Sequence, residues 1–391
     1  MRNWKYGVII VLLIILMGVI IFSMRAKPQK KAVSQPSGLA NDPPISEVVK
    51  DSSPKQVEAP TNSAPVYLTQ EQQDSRQHKW GKPNLPEVDA ACLHGAEAKV
   101  TLRVIDSGGK PVPEAEVKVA FSPRDPNEAG KNITGLTDKE GLFVATGKTT
   151  YDVSYSASKT NYYLTVRKFP FYWQGTACAK DGRWQPWNPT LEVVLKEKRK
   201  PIPMYTKRVE SKIPVRDLPI GYDFLKGDWV QPYGQGKDAD ITLTYSETPR
   251  TNTLRRYDLI IAFTNQMDGA YLMKKDNYSQ FASAHEADAK GYQSGLAFVY
   301  ERTDNKIIQD KRITEDDMIV FRVRTKTDES GNITEAYYGK VYGPCKFADG
   351  PQRFIRLSYY FNPTPNDRNL EFDGKNNLFD PDRKDSWPRN P

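Results

Sequence analysis

The sequence predicts a mostly β chain held to a membrane: an N-terminal transmembrane helix, a disordered tether, and two β-rich domains. Three observations carry this expectation. Residues Tyr6 to Met24 (YGVIIVLLIILMGVIIFSM) contain no charged side chain. The stretch from Arg25 to about Glu87 is rich in Pro, Ser, Lys, Gln and Asn. Beyond it, short runs of alternating apolar and polar residues are separated by Gly, Pro, Asp and Asn, which is the pattern of half-buried strands and turns. Aromatic content of 11%, including 21 Tyr, fits strands better than helices.

The apolar run is about long enough, as a helix, to cross the hydrocarbon core of a bilayer. Arg2 and Lys5 precede it. A cleaved signal peptide is the competing reading, but its apolar region would be unusually long, no small-x-small site precedes Arg25, and no lipobox cysteine follows. The expected anchor therefore occupies 1–24, with its apolar span at 6–24. Basic residues flank both sides, and a literal charge count would place the body in the cytoplasm. The short basic tail and the cysteine argument below favour an exported body. The expectation is a single-pass protein of the inner (cytoplasmic) membrane with a periplasmic body.

Residues 25–87 offer too little apolar surface to offset ordering entropy, so they are read as a disordered tether, with Thr69–Lys79 as its one helix candidate. A flexible chain of that length spans about 40–50 Å end to end. The net charge is +8, but 56 basic residues are interleaved with 48 acidic ones. The clearest basic cluster, Arg25, Lys27, Lys30 and Lys31, flanks the anchor, so no nucleic-acid partner is expected.

The first folded domain is assigned to 88–200. Val100, Leu102 and Val104 alternate with Lys99, Thr101 and Arg103, and Val117, Val119 and Phe121 repeat the pattern. Between them, Gly108 and Gly109 permit positive φ, while Pro111 and Pro113 fix φ and remove ladder donors, so Ser107–Ala115 reads as a strand-to-strand corner rather than a ligand loop. Further strands are expected at Gly141–Thr146, Tyr151–Ser156, Tyr162–Arg167 and Leu191–Lys196. About seven short strands at this spacing predict a sandwich of the Ig-like kind.

The stretches Val104-Ile-Asp-Ser-Gly-Gly-Lys-Pro-Val-Pro-Glu-Ala-Glu-Val117 and Thr137-Asp-Lys-Glu-Gly-Leu-Phe143 resemble the carboxypeptidase regulatory-like domain. The resemblance covers about a quarter of the chain and implies a transthyretin-like (prealbumin) β-sandwich that accompanies other modules and carries no catalysis. Its motifs describe structure, not chemistry. The whole body also resembles bacterial envelope proteins that join this domain to a β-rich C-terminal part, through Lys200-Pro-Ile-Pro-Met-Tyr205, Gly227-Asp-Trp-Val-Gln-Pro-Tyr-Gly234 and Tyr360-Phe-Asn-Pro-Thr-Pro-Asn-Asp-Arg-Asn-Leu-Glu-Phe372. That resemblance implies the envelope of a Gram-negative-type bacterium and brings no activity.

Cys92 precedes the first strand of this domain and Cys178 lies in its last long loop. The expected pairing is a Cys92–Cys178 disulfide, stabilising by about 4–5 kcal/mol in the chain-entropy model and implying an oxidising compartment. Two buried thiols are the alternative. Cys345 is left over as a buried thiol. The aromatic run Tyr162-Tyr-Leu-Thr-Val-Arg-Lys-Phe-Pro-Phe-Tyr-Trp173, continuing through Trp184 and Trp187, suggests a stacking surface for a glycan or a protein, with Trp173, Trp184, Trp187 and Arg183 as candidate binding residues. The competing reading is that these rings roof the sandwich or pack on the second domain.

Lys196-Glu-Lys-Arg-Lys-Pro-Ile-Pro-Met-Tyr205 reads as a stiff link to the second domain at 201–391. Strands are expected at Asp240–Tyr245, Asp258–Thr264, Gly295–Glu301, Met318–Lys326, Asn332–Val341 and Phe354–Phe361, with a hairpin turn at Asp328–Asn332. A second sandwich, jelly-roll-like in one reading, follows.

Catalytic motifs are weak. His78, His94 and His285 are the three histidines, and His285-Glu286 lacks the second His of a zinc-protease helix. Asp125-Pro-Asn-Glu-Ala-Gly130 starts like a calcium loop, but Ala129 and Leu136 stand where oxygen ligands belong. No cofactor and no metal are expected. The favoured function is a non-catalytic binding or structural module that recognises an envelope protein or a glycan. The alternatives are a carbohydrate-active or other hydrolytic C-terminal domain, and a structural stalk or assembly subunit.

Overall fold

The computed structural model describes residues 66–74, 84–123, 130–172, 177–248, 254–347, 353–379 and 390–391. Ser63–Pro391 form one compact, mostly β unit. No helix among the described residues is long and apolar enough to cross a membrane, and the expected span 6–24 lies outside them.

The N-terminal part runs β1 (Tyr67–Leu68), α1 (Gln70–Asp74), α2 (Leu85–His94), β2 (Ala96–Asp106), β3 (Glu116–Phe121), β4 (Lys131–Leu136), β5 (Leu142–Thr149), β6 (Asp152–Ser158), β7 (Thr165–Pro170), β8 (Cys178–Lys180), β9 (Arg183–Gln185) and β10 (Thr190–Leu195). One sheet has the order β1-β10-β2-β9-β8, with β5 also paired to β2. The other has the order β4-β3-β6-β7. The alternation read in the sequence supplies the core between them: Val100, Leu102 and Val104 of β2 and Leu191 and Val193 of β10 meet Val117, Val119, Phe121 and Val153 from the facing sheet.

The proline-rich stretch between β2 and β3 is a corner. Asp106 Oδ1 accepts the backbone N–H groups of Gly108 and Lys110 at 2.8 and 3.0 Å, closing an Asx-type turn. Val112 and Ala115 then point into the core. Thr137 ties the second motif to this corner: its hydroxyl donates to the Val112 carbonyl at 2.7 Å and accepts the Ala115 N–H at 2.9 Å. Gly141 has φ +74°, and a Cβ there would lie 2.4 Å from the Val104 carbonyl. The glycine is needed for chain approach, not for a ligand.

The tether expectation needs correction at its C-terminal end. Tyr67–Leu68 pair in parallel with Thr190–Leu191, and Leu68 is buried. The Gln73 amide donates to the carbonyls of Leu68 (3.0 Å) and Glu192 (2.9 Å), and its oxygen accepts the Tyr155 hydroxyl. Asp74 accepts the buried Arg167 guanidinium at 2.7 Å and the Tyr278 hydroxyl at 2.8 Å. Composition counts apolar surface and misses these specific polar contacts, which offset the ordering of a short segment.

The expected Cys92–Cys178 disulfide is also corrected: neither residue is in a disulfide. Cys92 lies on α2 and Cys178 opens β8, and these two elements pack together. Burial raises both thiol pKa values, helped by Asp89 for Cys92 and by Glu87 for Cys178. That disfavours the thiolate needed to form the bond. Cys345 is buried, and burial pushes its thiol up to about 12.

The C-terminal part runs β11 (Ile202–Lys212), β12 (Ile220–Asp223), β13 (Asp228–Trp229), β14 (Ile241–Glu247), β15 (Arg255–Ala262), β16 (Gly269–Lys274), β17 (Gly295–Arg302), β18 (Ile307–Asp310), β19 (Asp317–Thr327), β20 (Ile333–Lys346), β21 (Phe354–Phe361) and β22 (Phe372–Asn377). Two six-stranded sheets, β13-β12-β14-β15-β17-β18 and β16-β19-β20-β21-β11-β22, enclose a second core. The pairs β12–β13, β14–β15, β17–β18, β19–β20 and β20–β21 are antiparallel hairpin neighbours, whereas β11 returns from the domain link to pair antiparallel with β21 and parallel with β22. The hairpin expected at Asp328–Asn332 joins β19 to β20, with Asp328 Oδ1 accepting the N–H groups of Ser330 and Asn332.

The β19-β20-β21-β11 sheet is buried on both faces for part of its width. Val341, Leu357, Tyr359 and Phe361 face the sandwich core. Met318, Val320, Tyr338 and Tyr360 face outward and are also buried, beneath Ala287, Leu370 and Phe372. The first sandwich meets this cover directly. Val166 N–H donates to Tyr278 O (2.9 Å), Gln280 N–H donates to Leu164 O (2.8 Å), and Tyr163 stacks on Phe281 with ring centroids 5.0 Å apart.

Candidate functional site: a basic pocket on the outer face of the central sheet

Of the four residues proposed as an aromatic binding face, three are described, and they divide between the core and the surface. Trp184 is fully buried, stacks near Phe171, and donates its indole N–H to the Thr149 carbonyl at 2.8 Å. It is a core residue, because β9 alternation turns it inward between Arg183 and Gln185. Arg183 and Trp187 remain on the surface, with the guanidinium 5.0 Å from the indole centroid. Trp173 lies outside the described residues. Phe169 and Phe171 are buried in the sandwich, and Tyr163 is buried against the second domain.

Strand register on the second domain assembles a different site. Three outward-facing rows cross β20, β21 and β11: Lys340–Tyr360–Thr206, Tyr342–Ser358–Arg208, and Lys346–Arg356–Glu210. Around the last two rows lies a pocket of about 490 Å³, lined among others by Lys275, Asp276, Glu315 and Asn390. Its charged walls are Arg208, Lys275, Lys346 and Arg356 against Asp276 and Glu315. Asp276 is held by Lys196 at 3.1 Å. Glu210 serves two guanidinium groups, Arg208 at 2.9 Å and Arg356 at 2.5 Å. The bend that opens the pocket sits between Tyr342 and Lys346, where the register shifts. Gly343 lets another segment pass close by at that point, since a Cβ there would lie 2.0 Å from the Thr314 carbonyl.

Behind the pocket lies Lys340, completely buried. Its ammonium donates to Ser283 Oγ (3.0 Å) and to the Tyr342 hydroxyl (2.9 Å), and lies 4.7–4.9 Å from the ring centroids of Phe281, Tyr342 and Tyr360. Burial, and then the neighbouring charge of Lys196, pushes its pKa well below the usual lysine value, against the pull of Glu371. The Glu371 carboxylate accepts Tyr163 Oη–H (2.7 Å) and the N–H groups of Arg199 (3.0 Å) and Lys200 (2.6 Å) at the link between domains. Tyr342 in turn donates to the Pro391 carbonyl at 3.0 Å, which places the last two residues at the pocket.

Among the residues lining the pocket, only Tyr360 lies in one of the stretches that carry a family resemblance, and that stretch carried no chemistry. A usable signal was present: Tyr338, Lys340 and Tyr342 share the outward face of one strand, and a solvated face seldom carries that much aromatic surface. Asp223 and Asp240 are buried, and both accept the Arg324 guanidinium, at 3.0 and 2.6 Å. His285 points Nε2 at the Glu197 carbonyl at 2.8 Å, a contact between the domain link and the cover. The calcium-like loop lies almost wholly outside the described residues, among which no three His, Cys, Asp or Glu side chains converge as a metal site requires.

No family model and no curated protein matches the chain. Among solved structures, the chain is similar to hydroxyquinol 1,2-dioxygenase from Pseudomonas putida DLL-E4, at 16% identity and a TM-score of 0.20, over 26% of this chain and 57% of that one. It is also similar to a DUF3823 family protein from Parabacteroides merdae ATCC 43184 (8% identity, TM-score 0.17, 69% of this chain and 97% of that one). A third is BcpA, the major pilin subunit of Bacillus cereus (14% identity, TM-score 0.18, 66% and 95%). The chain thus spans little more than half of the dioxygenase, and at these TM-scores the likenesses carry no argument about activity.

Proposed function

We propose that this protein is a membrane-tethered envelope protein that works as a non-catalytic recognition module, with its site at the basic pocket of the second sandwich. The observation that carries the reading is the pocket itself: a concave, polar space lined by four cationic side chains beside the doubly covered part of the sheet. The anchor at 6–24, the periplasmic body and the regulatory-like character of the first sandwich are parts of this proposal that rest on sequence. The first sandwich acts in it as a support, because its β7 and its link to β11 hold the cover segment that walls the pocket.

The test uses the full chain, solubilised in neutral detergent, as bait against solubilised envelope proteins and, separately, against purified cell-wall glycans. Arg208→Ala/Arg356→Ala removes the pocket cations, and Arg183→Ala/Trp187→Ala removes the surface pair on the first sandwich. Loss of a bound partner in the pocket variant alone supports the reading. Loss only in the Arg183/Trp187 variant moves the site to the aromatic loop, and capture of nothing overturns the recognition role.

A further inference from the structure

We propose that the basic pocket binds an extended acidic peptide segment. This rests on the recognition reading above and names the ligand. Lys346 and Arg356 stand directly opposite each other on β20 and β21, an arrangement of like charges that weakens a sheet unless an anion bridges it. The nearby carboxylate of Glu210 is shared between Arg208 and Arg356. Among the described residues, neither Lys275 nor Lys346 has a carboxylate within ion-pair distance, so the pocket holds more positive charge than its own acids balance.

The shape of the occupant is indicated by the chain itself. Asn390 lines the pocket, and Pro391 presents its carbonyl to the Tyr342 hydroxyl. A peptide backbone therefore already fits at this mouth, with a main-chain oxygen on the tyrosine. A longer acidic segment that displaces Asn390 and Pro391 would take over the Tyr342 hydrogen bond and bring carboxylates to Lys346 and Arg356.

Fluorescence anisotropy with fluorescein-labelled hexaglutamate, added to the full chain in neutral detergent, tests this. Hexaglutamate should bind, and weaken steeply as salt rises from about 20 to about 300 mM. Lys346→Glu/Arg356→Glu should weaken it by about tenfold or more, whereas Lys139→Glu/Lys180→Glu, an equal change of net charge on the first sandwich, should leave it nearly unchanged. Glu210→Gln, which removes the competing internal carboxylate, should tighten binding by about threefold and provides a readout if the double reversal fails to fold. Equal weakening by both charge reversals, or no tightening by Glu210→Gln, overturns the proposal. A labelled oligogalacturonate runs in parallel. If it binds through Lys346 and Arg356 while hexaglutamate does not, the pocket is a recognition site but the peptide inference fails. If neither binds, both fail.

Discussion

The aromatic run of the first sandwich and the outer face of the β19-β20-β21-β11 sheet carry similar side chains and use them differently. Along the run, rings adjacent in sequence separate in space: Phe169, Phe171 and Trp184 enter the core while Trp187 stays outside. On the outer face, rings distant in sequence converge: Phe281, Tyr342 and Tyr360 surround one lysine. Density of aromatics along the chain therefore says little about a surface. Agreement of face across paired strands says much more.

The largest expected effect tests the first half of that contrast. Trp184→Ala should destabilise the protein by about 3–5 kcal/mol, since it empties a buried indole site and leaves the Thr149 carbonyl without its donor. Equilibrium urea unfolding measures this; a loss below about 1 kcal/mol would mean the ring is not core. Next comes Lys340. Lys340→Ala should cost about 3 kcal/mol, while Lys340→Met, which fills the aromatic cage without a charge, should be nearly neutral or stabilising. The folded lysine titrates below its unfolded value, so the unfolded chain holds more protons between the two. Stability should therefore rise with pH across that window. Wild type should gain on Lys340→Met, by melting temperature, as pH goes from about 7 toward about 10. A flat difference would show that the cage holds a fully charged ammonium.

Much of the strand pattern was legible because period-two alternation survives wherever one face is wet. The β2 and β3 strands, the Asp106–Ala115 corner and the Asp328–Asn332 hairpin all follow from local rules. The pocket was not legible, since Lys346, Arg356 and Glu210 come from three strands, and their adjacency depends on register and a bulge. Nor was the folded end of the tether, where Gln73 and Asp74 look like ordinary polar residues until Tyr155, Arg167 and Tyr278 receive them.

Two smaller effects sharpen the comparison. Asp74→Asn should loosen residues 66–74 by about 1 kcal/mol, seen as faster hydrogen exchange in that segment with the sandwich cores unchanged. Unchanged exchange would mean that β1 alone holds the segment. Trp187→Ala should shift stability by less than about 0.5 kcal/mol, in contrast to its neighbour Trp184. A large loss there would make the exposed ring structural.

The clasp at Asp74 has a mechanical side. One carboxylate receives Arg167 from the first sandwich and Tyr278 from the second. A pull on the chain ahead of Val66 meets β1 first, where Leu68 already belongs to the first core, and reaches the contacts of Asp74 only after that. The clasp is a latch shared by the two sandwiches: freeing residues 66–74 would also remove one of the contacts that joins them.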